Sequence, residues 1–260
     1  MSLSETNIQS SFLDIKDQLA SYLYRLTANK EDMEDLLHDT FIRVSEKIET
    51  FEARSSFKTW VFTIATNLAK DNKRVKNRWE IDAQDKCKNA AAVNLAYQDR
   101  MMSAYNNQLE KQFDIKEHIN FCFTCIAKNL SLEKQITIVL KEIYDFKRSE
   151  IAEILGISEG VVKHLLFDGR KELQEKYQNR CALINKNGVC YQCSQLNNYF
   201  QKDNSATNKI AQLDLDGSNN TEQNLDKRFE LIQKINPLTS NGANLEDTIL
   251  QILRETIKDN

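Results

Sequence analysis

The chain has 260 residues, 41% of them hydrophobic and 28% charged, with 35 Lys and Arg against 38 Asp and Glu. That balance describes one or two ordinary globular domains and excludes wholesale disorder. The longest apolar stretches, such as Phe121 to Ala127, are far too short to cross a bilayer, so no membrane insertion is expected. Met1 to Ser11 has no basic start followed by an apolar run, so no secretory leader is expected and the chain reads as cytoplasmic. One Pro and six Gly leave little turn punctuation, which predicts helices.

Taken in order, the first helix is marked by Ile8, Phe12, Ile15, Leu19, Leu23 and Leu26, the spacing of one helix face. A second helix is predicted from Asn29, with acidic residues in its first turn and a buried stripe of Met33, Leu37, Phe41, Val44 and Ile48. Phe51 to Ser56 reads as a loop whose Ser55 or Ser56 caps a third helix. That helix carries Phe57, Val61, Ile64, Ala65 and Leu68 on one side and is expected to run to about Arg78. Residues 81–114 have weak periodicity and read as a linker, helical in places. A second helical module is predicted over 115–178. Residues 179–260 form an extension: Asn- and Ser-rich around 204–220, then amphipathic over Phe229 to Ile235 and Leu245 to Ile257, with a turn at Asn241-Gly242 between. No period-two alternation is long enough for a strand. The expected fold is therefore all-α: a helical bundle over 8–80, a linker, a second helical module and a helical extension.

Charge switches sign inside the first module. Residues 1–53 carry eleven acidic against five basic side chains, a net of −6; residues 54–78 carry seven bases and one acid, a net of +6. A basic strip beside Phe57, Trp60, Phe62 and Trp79 has the chemistry to grip a phosphate backbone and stack unpaired bases. The same pattern also describes a solvated helix end with its aromatics in the core, and Trp60 reads equally as a core residue.

The second module contains a helix-turn-helix pattern. Ile151, Ile154 and Leu155 make an apolar face, Gly156 permits the turn, and Ser158 caps the next helix. On that helix Val162, Leu165 and Leu166 are expected to pack inward. Glu159, Lys163, His164, Arg170 and Lys171 then point outward, where a second helix of this kind enters the major groove.

Two Cys-x-x-Cys pairs, Cys122/Cys125 and Cys190/Cys193, suit tetrahedral zinc, with Cys181 and His118 as reserve ligands and Cys87 solitary. An iron–sulfur or redox dithiol site and plain core packing of Cys122 and Cys125 are the competing readings. No Gly-rich phosphate loop, paired metal carboxylates or nucleophile beside a base is visible, so no enzyme is expected.

The run Glu31-Asp32-Met33-Glu34-Asp35-Leu36-Leu37-His38-Asp39-Thr40-Phe41-Ile42-Arg43-Val44 resembles region two of bacterial RNA polymerase sigma factors. So do Phe51-Glu52-Ala53-Arg54-Ser55-Ser56-Phe57-Lys58-Thr59-Trp60 and Ile64-Ala65-Thr66-Asn67. Residues 130–177, with Ile151 through Lys163, resemble region four. The spacing is that of the small extracytoplasmic-function type. The resemblance implies that Asp35, His38, Asp39 and Arg43 dock on the polymerase clamp, with a second contact on its flap. It implies that Arg54, Lys58, Trp60, Asn67, Lys70, Lys73 and Arg74 melt the −10 element and hold its non-template strand. Ser158, Glu159, Lys163, His164, Arg170 and Lys171 would read the −35 element. Core polymerase and promoter DNA, duplex and melted, are the implied partners, and an anti-sigma protein is a further one. The sequence departs from the family at His164-Leu165-Leu166-Phe167-Asp168-Gly169, where a more basic stretch is usual; residues 163–176 carry a net charge of only +1. A stand-alone helix-turn-helix regulator and a zinc-structured interaction module are the alternative readings. The extension lies outside the shared core, and its face of Leu245, Ile249, Ile252, Leu253 and Ile257 must bury against something. It would act as an internal inhibitor, replace an anti-sigma protein or dock on polymerase.

Overall fold

A computed structural model describes residues 5–72, 75, 77–80, 82–106, 115–180 and 221–258, and every regular element among them is helical. The elements are α1 (Glu5–Thr27), α2 (Lys30–Lys47), a 3-10 turn (Ile48–Thr50), α3 (Phe57–Asp71), α4 (Ala83–Val93) and α5 (Leu95–Asn106). They continue with α6 (Ile115–Ala127), α7 (Leu132–Ile138), a π turn (Val139–Ile143), α8 (Arg148–Leu155), α9 (Glu159–Arg180), α10 (Thr221–Gln233) and α11 (Ala243–Lys258).

Capping chemistry fixes the helix starts. Asn29 Oδ1 accepts the backbone N–H of Asp32 at 2.7 Å to open α2, and Ser56 Oγ accepts that of Thr59 at 3.0 Å to open α3. Helix α8 ends at Gly156, whose φ of 67° lies in the left-handed region that glycine enters without steric cost. The N–H of Ile157 then returns to the carbonyl of Ala152 at 3.0 Å. Helix α3 stops at Asp71 rather than near Arg78, because Asn72 leaves the helical region while its N–H still closes on Leu68. Arg78 donates instead to the carbonyl of Leu130 at 2.7 Å, and burial pulls its guanidinium down to about 10. The buried stripe of α2 is also rotated from the expected one. Met33, Leu36, Thr40 and Val44 are buried, while Leu37, Phe41 and Ile48 stand at the edge, with Phe41 against the ring of Phe12 at 5.1 Å.

Packing divides the chain into two units, residues 1–78 with 130–169, and residues 79–129 with 170–260. The expected boundaries at 80, 114 and 178 follow the sequence and do not coincide with this division. In the first unit α1, α2 and α3 pack pairwise, and α3 also packs on α8. The centre is aromatic: Phe62 lies against Tyr22, Tyr144 and Phe146 at 5.1, 6.3 and 4.9 Å. Both phenols are paired, that of buried Tyr22 with Thr66 at 2.7 Å and that of half-buried Tyr144 with Ser21 at 2.6 Å. Gln135 Nε2 donates to the carbonyl of Arg25 at 2.8 Å, joining α7 to α1. Helix α9 enters this unit with Val162 fully buried and with Gly169 against α7.

The second unit explains the apolar face of the extension. Helix α11 packs on α4, α5 and α6, so the stretch read as a linker supplies two of the walls that cover Ile249, Leu250, Ile252 and Leu253. Each such side chain contributes roughly 1.5–3 kcal/mol when removed from water. Helix α10 packs on α6, where Phe229 meets Phe123 edge-on at 6.0 Å. The Asn241-Gly242 turn is held by Glu117, whose carboxylate accepts both backbone N–H groups at 2.9 Å. A Cβ on Gly242 would lie 2.9 Å from that carboxylate, so a larger residue there would push the Glu117 side chain aside.

Two outcomes are predicted. A Cβ on Gly169 would stand 2.9 Å from Cγ1 of buried Ile138. Gly169→Val therefore lowers unfolding stability by about 1–3 kcal/mol, and Gly169→Ala fails to gain the usual ~1 kcal/mol of helix propensity; urea unfolding reads both. The second outcome concerns His118, whose pKa burial, reinforced by Arg228, lowers to about 4. Its neutral form stabilises the fold fully above the unfolded value near 6.5, and that contribution is lost as pH falls toward 4. Between pH 7 and 5 the native chain should lose about 2 kcal/mol more than His118→Gln does, measured by urea unfolding at both pH values.

Candidate nucleic-acid interface

Two outward stripes are set by the packing of the first unit. On α2 the buried face is used by α1 and α3, which leaves Asp35, His38, Asp39, Ile42 and Arg43 exposed at helical spacing. Arg43 pairs with Glu46 at 3.1 Å with both side chains half in solvent, a contact that carries little stability. Ile42, 40% exposed, sits inside this polar stripe and was not singled out from the sequence; its apolar character at a polar position was the available signal.

Helix α3 carries the second stripe. Val61, Phe62, Ala65, Thr66 and Ala69 face the core, so Trp60, Thr63, Asn67 and Lys70 recur along the other side. Trp60 is half-buried in a cluster with Phe51 at 5.1 Å and Phe57 at 6.0 Å, which pins the preceding loop against the helix start. Ala53 in that loop has a φ of 52°, a left-handed turn that costs an L residue about 1–2 kcal/mol. Arg54 at the loop tip is exposed and pairs with Glu52.

The basic strip is not one continuous surface. Lys58 lies under the Phe146 ring at 4.6 Å, half-buried, and desolvation lowers its pKa. Thr59 donates to Glu150 Oε1 at 3.2 Å. Both residues are thus covered by α8 and the turn before it, which spacing within one helix does not reveal. Trp79 is buried in the second unit, where its backbone N–H donates to the carbonyl of Lys128 at 3.0 Å. Lys73 and Arg74 lie outside the described residues.

In the helix-turn-helix, Ile151, Ile154 and Leu155 are buried as expected from the sequence, and Ser158 Oγ accepts the N–H of Val161 at 3.4 Å. Ser158, Glu159, Lys163 and His164 are exposed on the first part of α9, and Lys171 is exposed further along. Leu165 and Leu166 are only half-buried. Arg170 points elsewhere: it pairs with Asp226 of α10 and stacks over Phe229 at 5.5 Å. Arg228 stacks likewise over Tyr177 at 4.3 Å.

Cys122 and Cys125 are buried thiols on α6, beside Phe121 and Phe123, and Cys87 is buried on α4. His118 lies within a ring contact of Phe121, 5.7 Å, and near Arg228. Cys181, Cys190 and Cys193 lie outside the described residues, among which no three His, Cys, Asp or Glu side chains converge as metal ligands.

The pattern of Sigma-70 region 2 matches residues 12–79, and that of Sigma-70, region 4 matches residues 121–173, in that order. The ECF RNA polymerase sigma factor SigW of Bacillus subtilis (strain 168) is 30% identical over 176 residues, 66% of this chain and 91% of that protein. The chain belongs to the ECF sigma factors of RNA polymerase. SigX of the same bacterium is 26% identical over 179 residues, covering 66% of this chain and 84% of that one. The sigma-E factor of Haemophilus influenzae is 25% identical over 163 residues, 63% of this chain and 83% of that protein. A solved complex of the sigma factor RpoE with the anti-sigma factor NepR, from Bartonella quintana, aligns at a TM-score of 0.46 and 20% identity, covering 65% and 96% of the two chains.

Sigma factors are DNA-binding regulators of transcription initiation, and both outward stripes of this one lie inside the region 2 match. Helices α10 and α11 lie beyond both matches. No described helix is long and apolar enough to cross a membrane.

Proposed function

We infer that this sigma factor docks on core RNA polymerase through the exposed α2 stripe of Asp35, His38, Asp39 and Arg43, and opens promoters with α3. The observation that carries the reading is the outward face of α3, where Trp60, Asn67 and Lys70 line up beside an aromatic-pinned loop. A flipped base costs a few kcal/mol of lost pairing and stacking. The aromatic cluster around Trp60, with a cation along the same helix, would offset that cost. The exposed start of α9, from Ser158 to His164, reads the upstream duplex element, with the N-terminal end of the helix toward the bases as helix-turn-helix geometry requires. The chain performs no chemistry of its own; the polymerase active site does, in the bacterial cytoplasm. An anti-sigma partner would compete for these same faces.

Zinc remains part of this reading. Cys122 and Cys125 share the inner side of α6, and together with Cys190 and Cys193 of the sequence they would supply the four thiolates a tetrahedral site needs. Protein purified without chelators should carry one zinc per chain, and Cys122→Ser should lower that content; metal near zero in the native protein rejects the site.

Run-off transcription with bacterial core polymerase on a promoter library tests the main reading. Promoter-specific transcripts should depend on the added chain. Asp39→Lys, which reverses charge on the docking stripe without touching the core, should cut their yield at least several-fold at limiting concentration and recover at high concentration. Tight binding to duplex DNA without any polymerase-dependent transcript would establish a stand-alone regulator instead.

A further inference from the structure

Seven large apolar side chains stand well exposed among the described residues, and two of them, Val161 at 45% and Phe167 at 67%, lie on the first half of α9. Intramolecular packing does not account for either. Val162 is already fully buried and Leu165 and Leu166 are half-buried, so the helix has a core-facing side without them. Phe167 instead completes a second stripe with Gly160, Lys163 and His164, at the i, i+3, i+4 and i+7 positions, and all four are exposed.

The chemistry of that stripe is unusual for a helix that meets nucleic acid. Lys163 is its one fixed cation, and Glu159 and Asp168 on its margins carry the opposite charge. No arginine fork stands there to take a guanine edge, the commonest specific contact in the major groove. The next arginine, Arg170, is engaged by Asp226 and Phe229. What the stripe does offer is apolar surface, and the base-edge group read by apolar contact is the C5 methyl of thymine. Gly160 supports a close approach: a Cβ there would meet nothing nearer than Ser158 Oγ at 3.7 Å, so packing does not require glycine. From Gly160 to Phe167 the helix rises about 10.5 Å, or about three base-pair steps of 3.4 Å.

We propose that Phe167 determines promoter specificity by reading thymine methyl groups in the upstream element. The proposal rests on the DNA-reading role of α9 given above. It adds the base and the group recognised. Affinity for the correct duplex then depends on methyl contact more than on charge, which suits a helix with so few free cations.

The test uses the full chain bound to core polymerase, with a promoter duplex selected by run-off transcription. Each thymine of its upstream element is replaced in turn by deoxyuridine, which removes the methyl and leaves base pairing intact. At one or two positions uracil should weaken binding about 3–10-fold for the native chain. Phe167→Ala should show the same loss on the thymine duplex and no further loss on the uracil duplex, while Phe167→Leu retains part of the discrimination. The side chain is exposed, so these variants should melt as the native protein does. Uracil tolerated everywhere by the native chain overturns the proposal without reference to any variant. So does full uracil discrimination by Phe167→Ala, or a loss in that variant confined to polymerase binding. If the native holoenzyme selects no promoter at all, the sigma-factor reading of α9 fails first, a result distinct from these.

Discussion

The packing of Phe62 among Tyr22, Tyr144 and Phe146 fixes which way α3 faces, and the rest of the interface depends on that orientation. Once Val61, Phe62, Ala65 and Ala69 are committed to the core, a 3.6-residue period leaves Trp60, Asn67 and Lys70 outside. Those positions are available to a nucleic-acid strand because the core cannot use them. The same cluster brings α8 against α3, and this is why Lys58 and Thr59 are covered by Phe146 and Glu150 while their helical neighbours are not. The Phe62 cluster thus separates the residues of α3 that hold the fold from those left on its outer face.

Helices α10 and α11, which lie beyond both matches, help to build a second core. Helix α11 supplies a strongly apolar face, and α4, α5 and α6 cover it. Helix α10 holds Arg170 by charge and by the face of Phe229, and Arg228 is held over Tyr177. Arg170, which the resemblance placed among the residues that read the −35 element, is therefore tied to the extension. The extension changes the electrostatics of α9 in a way that its net charge alone does not convey.

Much of this was legible from local chemistry. Caps at Asn29, Ser56 and Ser158, the left-handed Gly156 and the apolar spacing of α1 and α8 are decided by near neighbours, and reading a few residues at a time is enough to see them. The outward stripe of α2 came from the resemblance to region two, since its apolar spacing alone pointed to a different buried face. What escaped depends on contacts across many residues. Arg78 meets the carbonyl of Leu130 instead of extending α3, and the rotated stripe of α2 reflects where α1 and α3 sit. The helices of 83–106 were under-read because their apolar residues are few, and their stability comes from α11, more than a hundred residues away. In the sequence Phe167 is only part of a departure from a basic pattern; its exposure, which the packing of α9 decides, is the informative property.

The most direct measurement of the central claim, that the outward face of α3 holds melted promoter DNA, is permanganate reactivity of thymines in the −10 element under the reconstituted holoenzyme. The account predicts reactive, unpaired thymines with the native chain. With Trp60→Ala or Asn67→Ala their reactivity should fall sharply while binding to core polymerase is unchanged. Full thymine reactivity in both variants, or none with the native chain on a promoter it transcribes, would contradict it.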